Sequence, residues 1–177
     1  MDGIQIIKLY LRIMKTWNKR SDIEASLFNP AFCGELILHA VESYNKTAKQ
    51  GGFPYAMAYL ILPLLMSAEV SNLLPSSRRT SFITWLFANR YITPVIAQKT
   101  KDLKEYTHEA ILLDLSLDLL QIDDNSDIVI GTKSLARKRN FHRDEVDQII
   151  KKAAFVGSWL GNAGDVVTIY SIIGITV

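Results

Sequence analysis

The spacing of apolar residues along the chain predicts a protein built mainly of helices. Over residues 4–17, Ile6, Leu9, Tyr10, Ile13, Met14 and Trp17 cover one wide face, and Lys8, Arg12 and Lys15 fall on a narrow opposite one. That stripe is too broad and aromatic for a transit peptide, so it is expected to pack on the domain or on a partner. In NPAFCGELILHAVESYNK, residues 29–46, Asn29 is a good N-cap. Pro30 suits the first helical position, where its missing N–H costs nothing. On the helix that follows, Cys33, Leu36, Ile37, Ala40 and Tyr44 share one face, while Glu35, His39 and Glu42 share the other. Pro54 opens a further helix to about Ser67, bent or interrupted near Pro63. After the turn LLPSS, Arg79 to Asn89 reads as a helix with Phe82, Trp85 and Leu86 inward, and Pro94 begins another to about Lys101.

Residues 104–118 predict a helix with apolar residues on two sides, the pattern of an element between layers or at an interface. Tyr106, Ala110, Leu113 and Leu117 lie on one side; Ile111, Leu112 and Leu115 lie on the other. The alternation in LLQIDDNSDIVIGT, broken by the polar turn Asp123–Ser126, then predicts a β-hairpin. Helices followed by a hairpin suggest a winged-helix-like unit over roughly 76–132. Its helix in the recognition position is expected to expose Glu105, His108, Glu109 and Asp114, and its hairpin tip carries Asp123, Asp124 and Asp127. Such a surface repels phosphates, so the unit suits protein contacts better than DNA. A last long helix over 144–160 begins with Asp144, Glu145 and Asp147, which complement the helix dipole. Val146, Ile149, Ile150, Ala153, Val156 and Leu160 form its main stripe. Phe155 and Trp159 fall off that stripe, covered either by the terminal segment GDVVTIYSIIGI or by a partner. Asp165 is expected to cap the final short helix.

Composition narrows the class. The 177 residues fit one helical domain, 1–177, with 49% hydrophobic and 21% charged residues and a net charge of +2. One cysteine excludes an intrachain disulfide and suits a reducing cytoplasm. The apolar run Phe53 to Met66 contains Pro63 and falls short of the ~20 residues a membrane span needs, so no membrane contact is expected. The one basic cluster is KSLARKRNFHR, with Lys133, Arg137, Lys138, Arg139 and Arg143. It reads as a solvated loop or as a contact to a phosphate backbone.

Candidate chemistry is sparse. The chain has no GxxxxGK[ST] loop to hold nucleotide phosphates, and no GxGxxG, HExxH, GxSxG or CxxC. His39, His108 and His142 lack metal-ligand spacing. Cys33 and His39 sit six residues apart, about 120° around a helix, and cannot meet within it. A core cysteine is the expected reading, with no cofactor, no small-molecule substrate and no catalytic residue.

The segments WNKRSDIEASLFNPAFCGELI, GFPYAMAYLILPLLM, LLPSSRRTSFITWL, LLQI…DIVIGT and AAFVGSWLGNAGDVVTIYSIIGI follow one another in a characteristic order. From Trp17 to Gly174 the chain resembles the middle component of bacterial three-component ABC systems. That group overlaps the Lamassu-type anti-phage and anti-plasmid defence systems. The resemblance implies a non-enzymatic adaptor between an SMC/Rad50-like ABC ATPase and an effector, often a nuclease, held in check until foreign DNA is sensed. DNA would then be met indirectly, through the complex. Residues expected to meet partners are Ile6, Tyr10, Ile13 and Trp17 in the N-terminal stripe, together with Phe155 and Trp159. The alternative from the residues alone is a winged-helix DNA-binding protein or transcriptional regulator, with Lys133, Arg137, Lys138, Arg139 and Arg143 on the phosphates.

Overall fold

A computed structural model describes residues 20–48, 51–133 and 144–175. The predicted N-terminal helix, and Arg137, Lys138, Arg139 and Arg143 of the basic cluster, lie outside the described residues. Among the described residues helices dominate, with one small antiparallel sheet, as the apolar spacing predicts.

Helix α1 (Asp22–Leu27) is capped by Ser21, whose Oγ accepts the Glu24 N–H at 3.2 Å. Helix α2 (Pro30–Asn45) starts at the Asn-Pro signal, with Asn29 Oδ1 accepting the Ala31 N–H at 2.9 Å. It buries Cys33, Leu36, Ile37, Ala40, Val41 and Tyr44 and forms the centre of the core. Its largest partner is α8 (Asp144–Leu160), and its second is α7 (Lys104–Ser116). The approach to α8 depends on Gly157, where a Cβ would stand 2.0 Å from the Ala40 carbonyl oxygen. The Thr47 hydroxyl, 3.1 Å from the carbonyls of Tyr44 and Ser158, ties the end of α2 to α8.

Strand β1 (Phe53–Pro54) leads directly into α3 (Tyr55–Met66), which buries Met57, Ala58, Leu60, Ile61, Leu62, Pro63, Leu64 and Leu65. A helix apolar on nearly all sides belongs in a core or a membrane. At 12 residues it is about 18 Å long, too short for the ~30 Å hydrocarbon layer. Among the described residues no helix is long and apolar enough to cross a membrane. Pro63 lies inside this helix rather than ending it.

After the short α4 (Ala68–Ser71), α5 runs over Phe82–Ala88, three residues later than the predicted start at Arg79. The cause is Ser81, extended at φ −66° and ψ 156°, whose Oγ takes the Thr84 N–H at 3.1 Å. A 3₁₀ turn (Arg90–Ile92) then passes into α6 (Thr93–Asp102) and α7. The buried stripe of α7 is Thr107, Ala110, Ile111 and Asp114, while Leu112 and Leu117 face solvent. Asp114 is therefore not exposed as its charge suggested; it is 3% accessible. Two polar residues occupy the i, i+3, i+4, i+7 stripe, so hydrophobicity alone selects the wrong faces.

Strands β2 (Leu120–Ile122) and β3 (Asp127–Ile130) form the predicted hairpin, with Leu120 opposite Ile130 and Ile122 opposite Ile128. The hairpin does not stand alone. β1 pairs antiparallel with β3, Phe53 opposite Ile128, giving the order β1-β3-β2. The sheet thus reaches back to residues 53–54, ahead of the 76–132 interval. Helix α9 (Val166–Ile173) closes the chain, with Asp165 Oδ2 capping the Thr168 N–H at 2.9 Å and Gly174 ending it at φ 84°. The Tyr170 hydroxyl donates to the Ala56 carbonyl at 2.6 Å, which fixes α9 to the start of α3.

Candidate interaction surfaces

The one cysteine provides no reactive centre. Cys33 has no exposed surface, and burial, followed by the nearby Glu109 charge, pushes its thiol up to about 12. A thiolate nucleophile needs the opposite environment. His39 lies on the outer face of α2, its Nε2 3.1 Å from Glu35 Oε1 and its Nδ1 3.9 Å from Glu42 Oε2. Among the described residues no group of three or more His, Cys, Asp or Glu side chains could share a metal ion.

Of the residues expected to meet partners, Ile6, Tyr10, Ile13 and Trp17 lie outside the described residues. Phe155 is half-buried against the core, and Trp159 is 2% exposed. The cover over Trp159 comes from α5: its ring meets Phe82 edge-on at 5.0 Å and Trp85 at 5.5 Å. Its Nε1 donates to the Thr80 carbonyl at 2.7 Å. Trp159 therefore belongs to the core and leaves no open face for a partner. The periodicity of α8 misses this because α5 and the chain before it wrap past the edge of the main stripe. Trp85 Nε1 donates to the Leu73 carbonyl at 3.0 Å, so two indoles hold the two ends of the loop between α4 and α5. At its crest Arg78 and Arg79 are exposed, a pair of cations that the charge reading passed over.

Lys133, of the basic cluster, is exposed just beyond β3, and its N–H donates to the Asp118 carbonyl at 3.0 Å. The Asp118 carboxylate accepts from Thr132 Oγ1 and from Gln121 Nε2, and these bonds hold it below the usual carboxylate range. At the tip, Asp123 Oδ1 accepts the N–H groups of Asn125 and Asp127, each at 2.9 Å. The hairpin therefore presents carboxylates in an ordered turn. Phosphate would be repelled there.

A second surface was not legible in the sequence. Phe28 stacks on Tyr106 at 4.5 Å, and the Tyr106 hydroxyl donates to Glu24. The Arg20 guanidinium lies over the same ring at 5.3 Å and pairs with Glu109 at 2.6 Å. These contacts clamp α1 to α7 and floor an open groove of about 550 Å³ with Phe28, Met66, Leu103 and Tyr106. Glu69, Lys99 and Asp102 also line it. Beside it α1 buries none of its residues and exposes Ile23 at 73% and Leu27 at 52%. These two aliphatic side chains stand one turn apart on α1. Only pairs close in space but distant in sequence reveal the groove, such as Glu24 with Tyr106.

Comparison with known families decides where this molecule belongs. Residues 17–177 match the family described as ABC-three component (ABC-3C) system Middle Component 3. The chain belongs to that family. The description makes a Middle Component 3 protein one part of a multi-component ABC system. Residues 1–16, with most of the apolar N-terminal stripe, fall outside the match. No curated protein and no solved structure matches the chain.

Proposed function

We propose that this Middle Component 3 protein is the non-catalytic adaptor of a cytoplasmic prokaryotic defence complex of the Lamassu type. It links an SMC/Rad50-like ABC ATPase to an effector, a nuclease, and helps keep the effector inactive until foreign DNA is sensed. The observation that carries this reading is the family match over residues 17–177. Three features of the chain support it. Its lone thiol is buried and held protonated. Its sequence has no nucleotide-binding loop. Its surface carries apolar side chains, Ile23, Leu27, Tyr91 and Val167, each more than half exposed. In this reading the partner-facing residues are Ile6, Tyr10, Ile13 and Trp17 of the N-terminal stripe, the exposed Ile23 and Leu27, and the half-buried Phe155.

The test is co-expression with the ATPase and effector encoded alongside, followed by capture on this chain. The reading requires a complex that survives high salt, because apolar contacts hold it. Capture of neither protein refutes it.

The sheet favours one refinement. A strand between α2 and α3, a helix before the hairpin and the order β1-β3-β2 support the winged-helix-like reading. With Asp123 and Asp124 at the tip of the wing, we assign that unit to protein contacts rather than to duplex DNA. DNA is then met through the complex, with Lys133, Arg137, Lys138, Arg139 and Arg143 as the chain's own candidates for phosphate. A gel shift by the isolated chain that weakens steeply with salt supports the competing regulator reading instead.

A further inference from the structure

Asp114 stands at the junction of three elements. Its side chain lies against α2, where a Cβ at Gly34 would come 2.7 Å from Asp114 Oδ1 and 2.9 Å from Oδ2. Only a glycine leaves room for a carboxyl there. Oδ2 is fully buried and has no hydrogen-bond partner. The main chain of the same residue holds the turn into the hairpin: the Asp114 carbonyl accepts the Leu119 N–H at 2.9 Å, and the Leu119 carbonyl accepts the Gly131 N–H at 2.8 Å. Between them Asp118 takes a left-handed conformation at φ 56°. The main chain of Asp114 is thus joined to the hairpin through two hydrogen bonds.

The charged groups around Asp114 do not favour its ionised form. On α2 the neighbour of Gly34 is Glu35, a like charge that raises its proton affinity further. His39, one turn on, is spoken for by Glu35 and Glu42. Neither α3 nor β2 carries a charged residue. The Lys99–Asp102 pair of α6 packs at the far end of α7, and on α7 itself Glu109 pairs with Arg20. Burial first, and Glu35 second, push the carboxyl up from 3.8 to about 7. Ionisation would leave Oδ2 buried without a donor.

We propose that the contact between α2 and α7 is a proton-controlled latch: protonated Asp114 holds α7 and the hairpin closed on α2, and loss of that proton releases them. Release uncovers Ala110, Ile111 and the facing side of α2, apolar surface that a partner can then take. The latch does not depend on the adaptor reading, and its test uses the chain alone.

Native-state hydrogen exchange, followed as protection factors across about pH 5 to 8, reads the opening directly. For a single proton, protection of the α7 and hairpin amides falls by up to tenfold per pH unit up to about pH 7 and then levels. In Asp114→Asn, close in shape and without charge, the same amides show no such slope. Glu35→Gln moves the levelling point to lower pH. A flat profile in the native chain overturns the latch, as does a slope that survives in Asp114→Asn. Should the variant not fold, the ¹³C carboxyl titration of Asp114 in the native chain gives the answer. A midpoint two or more units above the ordinary carboxylate range supports the latch, and one within that range overturns it.

Discussion

Replacing Gly157 by alanine tests whether the α2–α8 crossing organises the core. Ala is the better helix former by about 1 kcal/mol, so local propensity alone makes Gly157→Ala stabilising. The packing says the opposite. The added Cβ stands 2.0 Å from the Ala40 oxygen and 2.5 Å from both its carbonyl carbon and its Cα. An ordinary C···O approach is about 3.3 Å or more, so the gap must open by more than about 1 Å. All three atoms are main chain, and no side chain can rotate aside. The helices must separate, and a gap of about 0.5–1 Å forfeits a quarter to a half of each contact's attraction. The contacts at stake involve Ile37, Ala40, Val41 and Tyr44 against Ala153, Val156 and Leu160, all buried. Overpacking usually costs about 1–3 kcal/mol. A backbone clash belongs at the upper end, so the net loss after the propensity gain is about 2 kcal/mol. For a chain of this size that corresponds to about 4–8 °C in Tm. Urea denaturation followed by far-UV circular dichroism measures it, with exposed Lys151→Ala as the propensity control. A Gly157→Ala chain as stable as the native one, or more so, refutes the reasoning.

Three further outcomes are expected. Trp159→Phe loses the hydrogen bond to Thr80 and part of the aromatic cluster; the expected cost is about 1–3 kcal/mol, read from the denaturation midpoint. Cys33 resists iodoacetamide near neutral pH until the chain is unfolded, and Cys33→Ala keeps function while losing about 1 kcal/mol of packing. Quantified alkylation with and without urea checks the first part. Stability should also fall as pH rises from about 4 to 7. Over that window the folded state holds the Asp114 proton, raised to about 7, and the unfolded state does not. Asp114→Asn removes that fall and gains about 2–4 kcal/mol above pH 7, measured by urea titrations at several pH values.

Local signals in the sequence carry much of the fold. Asn29 and Pro30 give the start of α2, Asp165 caps α9, and alternation with a polar turn reveals the hairpin, because each signal acts within a few residues. What the sequence could not yield depends on distant partners. Phe53 becomes a strand only because Ile128 stands opposite it. Trp159 enters the core only because α5 closes over it, and Asp114 is buried only because Gly34 makes room. The start of α5 shifted for a local reason that periodicity ignores: the Ser81 hydroxyl satisfies a helix N–H, whereas Arg79 cannot. Of the interaction surfaces, the groove between Phe28 and Tyr106 was hidden because it requires a contact across 78 residues of sequence.

The central claim is that this chain works by joining other proteins. Its most direct test is the mass of the species formed when the chain is co-purified with the ATPase and effector of its own system, measured by size exclusion with light scattering. The account predicts one stable complex containing all three chains, lost when Ile23 and Leu27 are both changed to aspartate while the variant alone stays folded. A monomer that elutes apart from both proteins contradicts it.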